Sequence, residues 1–257
     1  MTGRDVLDRW APPGRELRYG REEHQVCELF DPPSPAPSAR GLVVLVHGGF
    51  WRAEWDRAHL RPLAHALAEQ GYAVALPEYV RSGMPGGGWP GTSADLLTAL
   101  AAVRAQHDPG VPVVLVGHSA GGHLAVWLLH QPAARGVSGA VSLAGVLDLR
   151  LAAALDLDDG AVQDLLGGGP EQVPGRYAVA DPASLGRTPY PVVVVHGEDD
   201  AQVPTEVSLS WWAAAGTEGR DDLVELPGVD HFALVDPEAS TFPVLTSAVN
   251  RLADSRP

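Results

Sequence analysis

The sequence predicts an α/β protein with a mostly parallel central sheet covered by helices on both faces. Three observations carry this. Five short runs are almost wholly apolar: Gly41 to Val46, Tyr72 to Leu76, Val113 to Val116, Gly139 to Leu143 and Pro191 to Val195. Strands that alternate apolar with polar residues have one wet face, so runs without alternation read as strands buried on both faces. Segments with helical apolar spacing separate these runs, which calls for right-handed crossovers between parallel strands. Finally, 257 residues at 45% hydrophobic and 19% charged can bury one sizeable core without disulfides or metal.

Taken in order, a polar start leads to a strand around Gln25 to Phe30, expected in an edge hairpin. The run Asp31 to Arg40 holds four prolines and suits neither helix nor central strand. It reads as an exposed connection that blunts a sheet edge. After the strand 41–46 comes a helix near Leu60 to Gln70, with Leu60, Leu63, Ala64 and Leu67 on one face and Gly71 closing it. The strand at 72–76 precedes a glycine-rich loop, Arg81 to Gly91, and a helix from Thr92 to Gln106. The strand at 113–116 is followed by a helix, Ala120 to Leu129, burying Leu124, Trp127 and Leu128. Between Asp148 and Tyr190 the rhythm changes, with helices at 148–155 and 161–166 and a break at Gly167 to Pro170. The expected organisation is one domain over 1–257, with 148–190 a small helical cap insertion roofing the carboxyl edge of the sheet. The strand at 191–195, a helix from Thr205 to Ala215, a strand at Asp222 to Leu226 and a helix from Ala239 to Leu252 complete the chain.

Charge and cysteine usage narrow the function classes. Thirty-two acidic against eighteen basic residues give a net charge of −14 without a basic stripe, which argues against a nucleic-acid partner. The single cysteine, Cys27, calls for no oxidising compartment. No apolar run approaches twenty residues and the first ten lack a signal-peptide core, so no membrane partner and a cytoplasmic location are expected.

Chemistry concentrates at the strand ends. Gly117-His-Ser119-Ala-Gly121 follows a buried strand and opens a helix, the context of a nucleophile elbow that lifts Ser119 above the sheet. Later strands end in Asp199-Asp200 and in Asp230-His231. Nucleophile, acid and histidine in that chain order, each beyond a strand's carboxyl end, form a catalytic constellation. His231 would take the proton of Ser119 as it attacks a carbonyl, and Asp200 would hold the imidazole. Asp199 and Asp230 compete for the acid role. Gly49, Phe50 and Ala120 would donate backbone N–H groups to the oxyanion. His47 would brace that loop. His118, His123 and His196 lie near strand ends, but no zinc-ligand spacing appears, and Gly86 to Gly88 lacks the lysine of a phosphate loop, so neither metal nor cofactor is expected. Trp51, Trp55 and Trp89 sit in loops above the sheet, with Trp51 and Trp89 the candidates for lining a substrate pocket.

His47-Gly-Gly-Phe-Trp51, Gly117 to Leu124, Asp200-Ala-Gln-Val-Pro204 and Asp230-His-Phe232 together resemble the kynurenine formamidases, or arylformamidases, near the hormone-sensitive-lipase-like esterases. The resemblance runs from Tyr19, Gly20 and Gln25 through Trp89-Pro90 and Asp95 to the last helix. It implies an α/β-hydrolase fold, the triad Ser119, Asp200 and His231, and oxyanion donors Gly49, Phe50 and Ala120. It also implies cofactor-free cleavage of N-formyl-L-kynurenine to L-kynurenine and formate, and a homodimer. Glu28 and Phe30 depart from the family's Asp and Tyr, a difference expected to stay clear of the chemistry. Arg52, Arg57 or Arg81 would receive the substrate carboxylate. The alternatives are a carboxylesterase acting on small acyl esters, including those of a secondary metabolite, and a catalytically silent hydrolase-fold scaffold.

Overall fold

The computed structural model describes residues 3–33 and 39–255; positions 34–38 of the proline-rich run lie outside them. Among the described residues eight strands form one sheet: β1 (Arg15–Arg18), β2 (Val26–Phe30), β3 (Leu42–Val46), β4 (Ala73–Pro77), β5 (Val113–His118), β6 (Gly139–Leu143), β7 (Val192–Gly197) and β8 (Asp222–Leu226). Their spatial order is β1-β2-β4-β3-β5-β6-β7-β8, with β1/β2 and β2/β4 antiparallel and every later pairing parallel. The edges are therefore β1 and β8. The proline-rich run connects β2 to β3 in sequence, and the expectation that it blunts a sheet edge falls largely on positions outside the described residues. β2 is interior: it pairs with β1 on one side and β4 on the other.

The unbroken apolar runs have a direct physical reason. Alternate residues of each parallel strand enter two different cores. Val44, Val46 and Leu115 face α2 (Gly91–Arg104), α3 (Ala120–Leu128) and α8 (Glu206–Ala215), through Leu96, Leu124 and Trp211 among others. Val43, Leu45, Val114 and Val116 face α1 (Arg61–Glu69) and α9 (Phe242–Asp254), through Leu63, Leu67, Leu245 and Val249. Burial on both faces removes any reason for polar alternation.

Between β6 and β7 lie four short helices: α4 (Leu149–Ala154), α5 (Ala161–Leu166), α6 (Pro174–Ala180) and α7 (Pro182–Leu185). The last two went unread in the sequence because each opens on proline, which looks like a breaker although its fixed φ suits the first turn. Leu149, Leu165 and Tyr177 from this segment join the core beneath α3 and α8. A short 3-10 helix at Gly3–Asp8, also unread, buries Val6 on the opposite side.

Chain order reverses at β3: the chain steps outward to β4 and then returns across β3 to β5. That switch point, at the carboxyl ends of β3 and β5, is where an open α/β sheet leaves a crevice. The architecture is the α/β-hydrolase fold, a mostly parallel sheet flanked by helices on both faces. None of the described helices is long and apolar enough to cross a membrane.

Candidate active site

β5 runs directly into Ser119, whose backbone stands at φ 55 and ψ −121, a conformation that an L-residue holds only when its surroundings enforce it. Two glycines make the turn possible. A Cβ on Gly117 would lie 2.1 Å from the Gly121 carbonyl oxygen, and one on Gly121 would lie 2.1 Å from that of Val46. The Ser119 N–H donates to the Leu143 carbonyl at 2.8 Å, fastening the elbow to the end of β6. Ala120 opens α3, and the first N–H groups of a helix have no acceptor within it. They also carry the positive end of the helix dipole, so the elbow favours negative charge beside the serine.

His231 follows β8, and its Nδ1–H donates to Asp200 Oδ2 at 2.6 Å. The other carboxylate oxygen of Asp200 accepts from the N–H groups of Gln202 and Val203, each at 2.8 Å. His196 Nε2 lies 3.2 Å from Oδ2. Burial alone would raise the pKa of Asp200, but the bonds from His196, His231 and the Val203 N–H outweigh it and hold the carboxyl well below its usual range. Asp199 is exposed, and Asp230 is spent on the N–H groups of Phe232 and Ala233. Of the three acids left open by the sequence, Asp200 is the one paired with His231. With Nδ1 committed, the basic nitrogen of the neutral imidazole is Nε2.

β3 leads into His47, and Gly49, Phe50 and Trp51 all take positive φ (103, 47 and 56). Three such residues in a row need bracing, and they have it. His47 Nε2–H donates to Glu78 Oε1 at 2.8 Å, its ring stacks on Tyr79 with centroids 4.2 Å apart, and the Tyr79 hydroxyl donates to the His47 carbonyl. Glu78, buried beyond β4, also accepts from the Arg57 N–H and pairs with Arg57 and Arg81. Arg57 continues to Glu28, which Arg61 grips with two bonds of 2.7 and 2.8 Å. Glu28 is 2% exposed, so this departure from the formamidase pattern is not remote from the chemistry; it anchors the network behind the Gly49 turn.

Burial alone would raise the Glu78 pKa; its contact and hydrogen bond with His47, and Arg81, bring it down to about 2. Because the folded value lies below the ordinary 4.5, the stabilisation is complete above pH 4.5 and is lost as pH falls toward 2. Glu78→Ala should cost about 3–5 kcal/mol, since it strands buried cations. Urea unfolding at neutral pH measures that loss, and Glu78→Gln should show a flatter acid limb than the native chain.

A cavity of about 120 Å³ opens at Ser119 and His231, walled by Gly49, Phe50, Trp55 and Phe232. Ser119, His231 and the Gly49–Phe50 turn thus meet in one space. Trp51 and Trp89 do not line it. Trp51 is fully buried, edge-on to His123 at 5.2 Å, because its positive φ turns the side chain into the core. Trp89 packs edge-on against Trp127 at 4.9 Å. Trp55 holds the wall position instead. The three arginines expected to receive a carboxylate are also committed: Arg52 to Asp158 and Asp164, Arg57 to Glu28 and Glu78, Arg81 to Glu78 and the Trp55 carbonyl. The insertion reaches the cavity wall with Asp158, and the N-terminal 3-10 helix supplies Arg4 and Leu7. Nothing in the sequence around Arg4 marked it, apart from the apolar pair Val6-Leu7 that seats the helix.

His118, His123 and His196 each have separate partners. His118 Nε2–H donates to the His231 carbonyl, His123 Nε2–H to that of Ala180, and His196 bonds Ser208 and Val203. They do not converge, and no group of three metal-ligating side chains occurs among the described residues. Burial, followed by the neighbouring His231, pushes the His118 pKa well below the imidazole value.

Comparison with known proteins fits this geometry. The BD-FAE family model matches residues 28–214. Esterase LipQ of Mycobacterium tuberculosis (strain ATCC 25618 / H37Rv) is 28% identical over 250 residues, 87% of this chain and 58% of its own length. Kynurenine formamidase of Danio rerio is 28% identical over 141 residues, 52% of this chain and 46% of its own. The chain thus spans about half the length of these curated relatives. Among solved structures, the truncated form of a carbohydrate esterase from gut microbiota superposes with a TM-score of 0.78 at 17% identity, covering 96% of this chain and 98% of that one.

Proposed function

This chain belongs to the BD-FAE family, a hydrolase of the esterase-like α/β-hydrolase superfamily, and we propose from that premise that it is a serine carboxylesterase for small acyl esters. The observation that carries the reading is the meeting of Ser119, the Asp200-paired His231 and the Gly49–Phe50 turn in one small cavity.

In the proposed mechanism, Ser119 Oγ attacks the ester carbonyl while His231 Nε2 accepts its proton. Asp200 fixes the tautomer and stabilises the imidazolium. The N–H groups of Ala120 and the Gly49–Phe50 turn receive the negative oxygen, at a helix terminus beside the buried Ser119. His231 returns the proton to the departing alkoxide, which leaves as the alcohol. Water, deprotonated by the same histidine, then releases the acid from the acyl-enzyme.

Two findings favour an ester over an aryl formamide. Esterase LipQ aligns with 87% of the chain, the formamidase with 52%. Trp51, the residue that pointed to an aryl pocket, lies in the core. The formamidase match and the His47 to Trp51 motif keep N-formyl-L-kynurenine as a second reading.

One panel separates them: kcat/KM for 4-nitrophenyl acetate, butyrate and octanoate beside N-formyl-L-kynurenine. Acetate and butyrate should exceed octanoate by roughly tenfold or more, as the Phe50 wall excludes long chains sterically. A formamide turned over faster than acetate overturns the ester reading in favour of the second.

A further inference from the structure

We propose that Arg4 makes this site selective for esters bearing a carboxylate, so that the substrate class is the acidic ester. The inference rests on the serine-esterase reading of the same cavity.

Arg4 lines the cavity that holds Ser119 and His231, and also an adjoining hollow that shares Gln202 and Phe232. Its guanidinium carbon lies 5.4 Å from the centre of the Trp55 ring. Stacking on an aromatic face leaves the N–H groups at the guanidinium edge, in the plane that suits a two-point bond to a carboxylate. The contrast with the other arginines near the site carries the argument. Arg52, Arg57 and Arg81 each end on acidic side chains, whereas among the described residues no carboxylate forms an ion pair with Arg4.

Among the described residues none of the acids around the cavity pairs with Arg4, and that includes Asp199, which is exposed in the adjoining hollow. Asp158, on its wall, is held by Arg52 at 2.7 Å. Asp230, in the adjoining hollow, is bonded to backbone N–H groups. A chain of net charge −14 repels anions at long range, so an acidic substrate needs a local cation, and among the described residues Arg4 is the arginine on the cavity wall. The arginine comes from the N-terminal turn, whose Val6 is buried against the core, so its backbone is seated rather than trailing.

The test uses two matched pairs of esters on the full chain. One places the carboxylate on the acyl side: mono-4-nitrophenyl succinate against 4-nitrophenyl butyrate. The other places it on the leaving side: 4-acetoxybenzoate against its methyl ester. The readout is the ratio of kcat/KM for acidic over neutral partner. In one pair the ratio should fall about tenfold in Arg4→Ala, fall further in Arg4→Glu, and fall only partway in Arg4→Lys, which keeps the charge but not the two-point geometry. The native ratio should also shrink between low salt and about 0.5 M salt, since Arg4 is exposed. The responding pair tells on which side of the scissile bond the arginine acts. Ratios unchanged by Arg4→Ala in both pairs overturn the proposal. A native chain that hydrolyses none of the neutral esters instead overturns the esterase reading, so the two failures are distinguishable.

Discussion

Ser119→Ala is expected to lower kcat for the best small ester by roughly 10⁶-fold, in a protein that unfolds at nearly the native urea midpoint. The two halves of this expectation have separate physical causes. Turnover goes because the hydroxyl is the only group at the elbow that can form the acyl-enzyme, and removing a nucleophile removes everything its base and acid do together. Stability persists because the structural part of Ser119 is its backbone. Its N–H bonds Leu143, and its carbonyl accepts from the N–H groups of His123 and Val146, all of which an alanine keeps. Alanine also meets the same positive φ, so the strain of the elbow is unchanged. A fluorophosphonate probe should label the native chain once, at Ser119, and leave the variant unlabelled. Turnover retained above about 1% would remove the serine mechanism, and a loss of turnover accompanied by unfolding would leave the hydroxyl's role to the labelling result on Ser119→Cys.

Sheet, crossovers and elbow were legible because each depends on local chemistry. Parallel strands buried on both faces announce themselves as runs such as Leu42 to Val46, and the elbow needs small residues at Gly117 and Gly121 whatever surrounds it. The order of Ser119, Asp200 and His231 along the chain was equally plain, since each follows a strand that the periodicity marks. The pocket wall was not legible. Trp51, Trp55 and Trp89 have the same loop setting in the sequence, and only the positive φ at Phe50 and Trp51 decides that Trp51 turns inward while Trp55 faces the cavity. Arg4 was invisible for another reason. It reaches the site from the far end of the chain, and a single exposed arginine in a polar stretch carries no periodicity. Glu28 illustrates the reverse error: treated as an edge-strand variation, it is an interior anion whose partner Arg57 also holds Glu78, and through it the turn at Gly49. Ion-pair networks between distant segments leave no trace in local pattern.

Asp200→Asn should lower kcat by roughly 10⁴-fold, while Asp199→Asn should stay within about twofold of native. The asymmetry follows from what each oxygen of Asp200 accepts. Oδ1 takes the N–H groups of Gln202 and Val203, and the amide oxygen of asparagine can do the same, so the turn into α8 is preserved. The amide NH₂ then falls where Oδ2 accepted the proton of His231 Nδ1, and two donors face each other. The imidazole escapes by moving its proton to Nε2, which is the nitrogen that must be bare to receive the proton of Ser119. The chemistry fails through the wrong tautomer in an otherwise native site. His196 Nε2, 3.2 Å from the same oxygen, also loses an acceptor, so a stability loss of about 1–3 kcal/mol should accompany the variant. Acid titration separates the two effects. The native carboxyl is held below its usual range, so its stabilisation is complete above the ordinary carboxylate pKa and is lost as pH falls below it; the asparagine variant should lack that acid-labile part. If Asp200→Asn keeps its kcat and Asp199→Asn or Asp230→Asn loses it, the acid has been assigned to the wrong side chain, and the 2.6 Å contact between Asp200 and His231 is structural rather than catalytic.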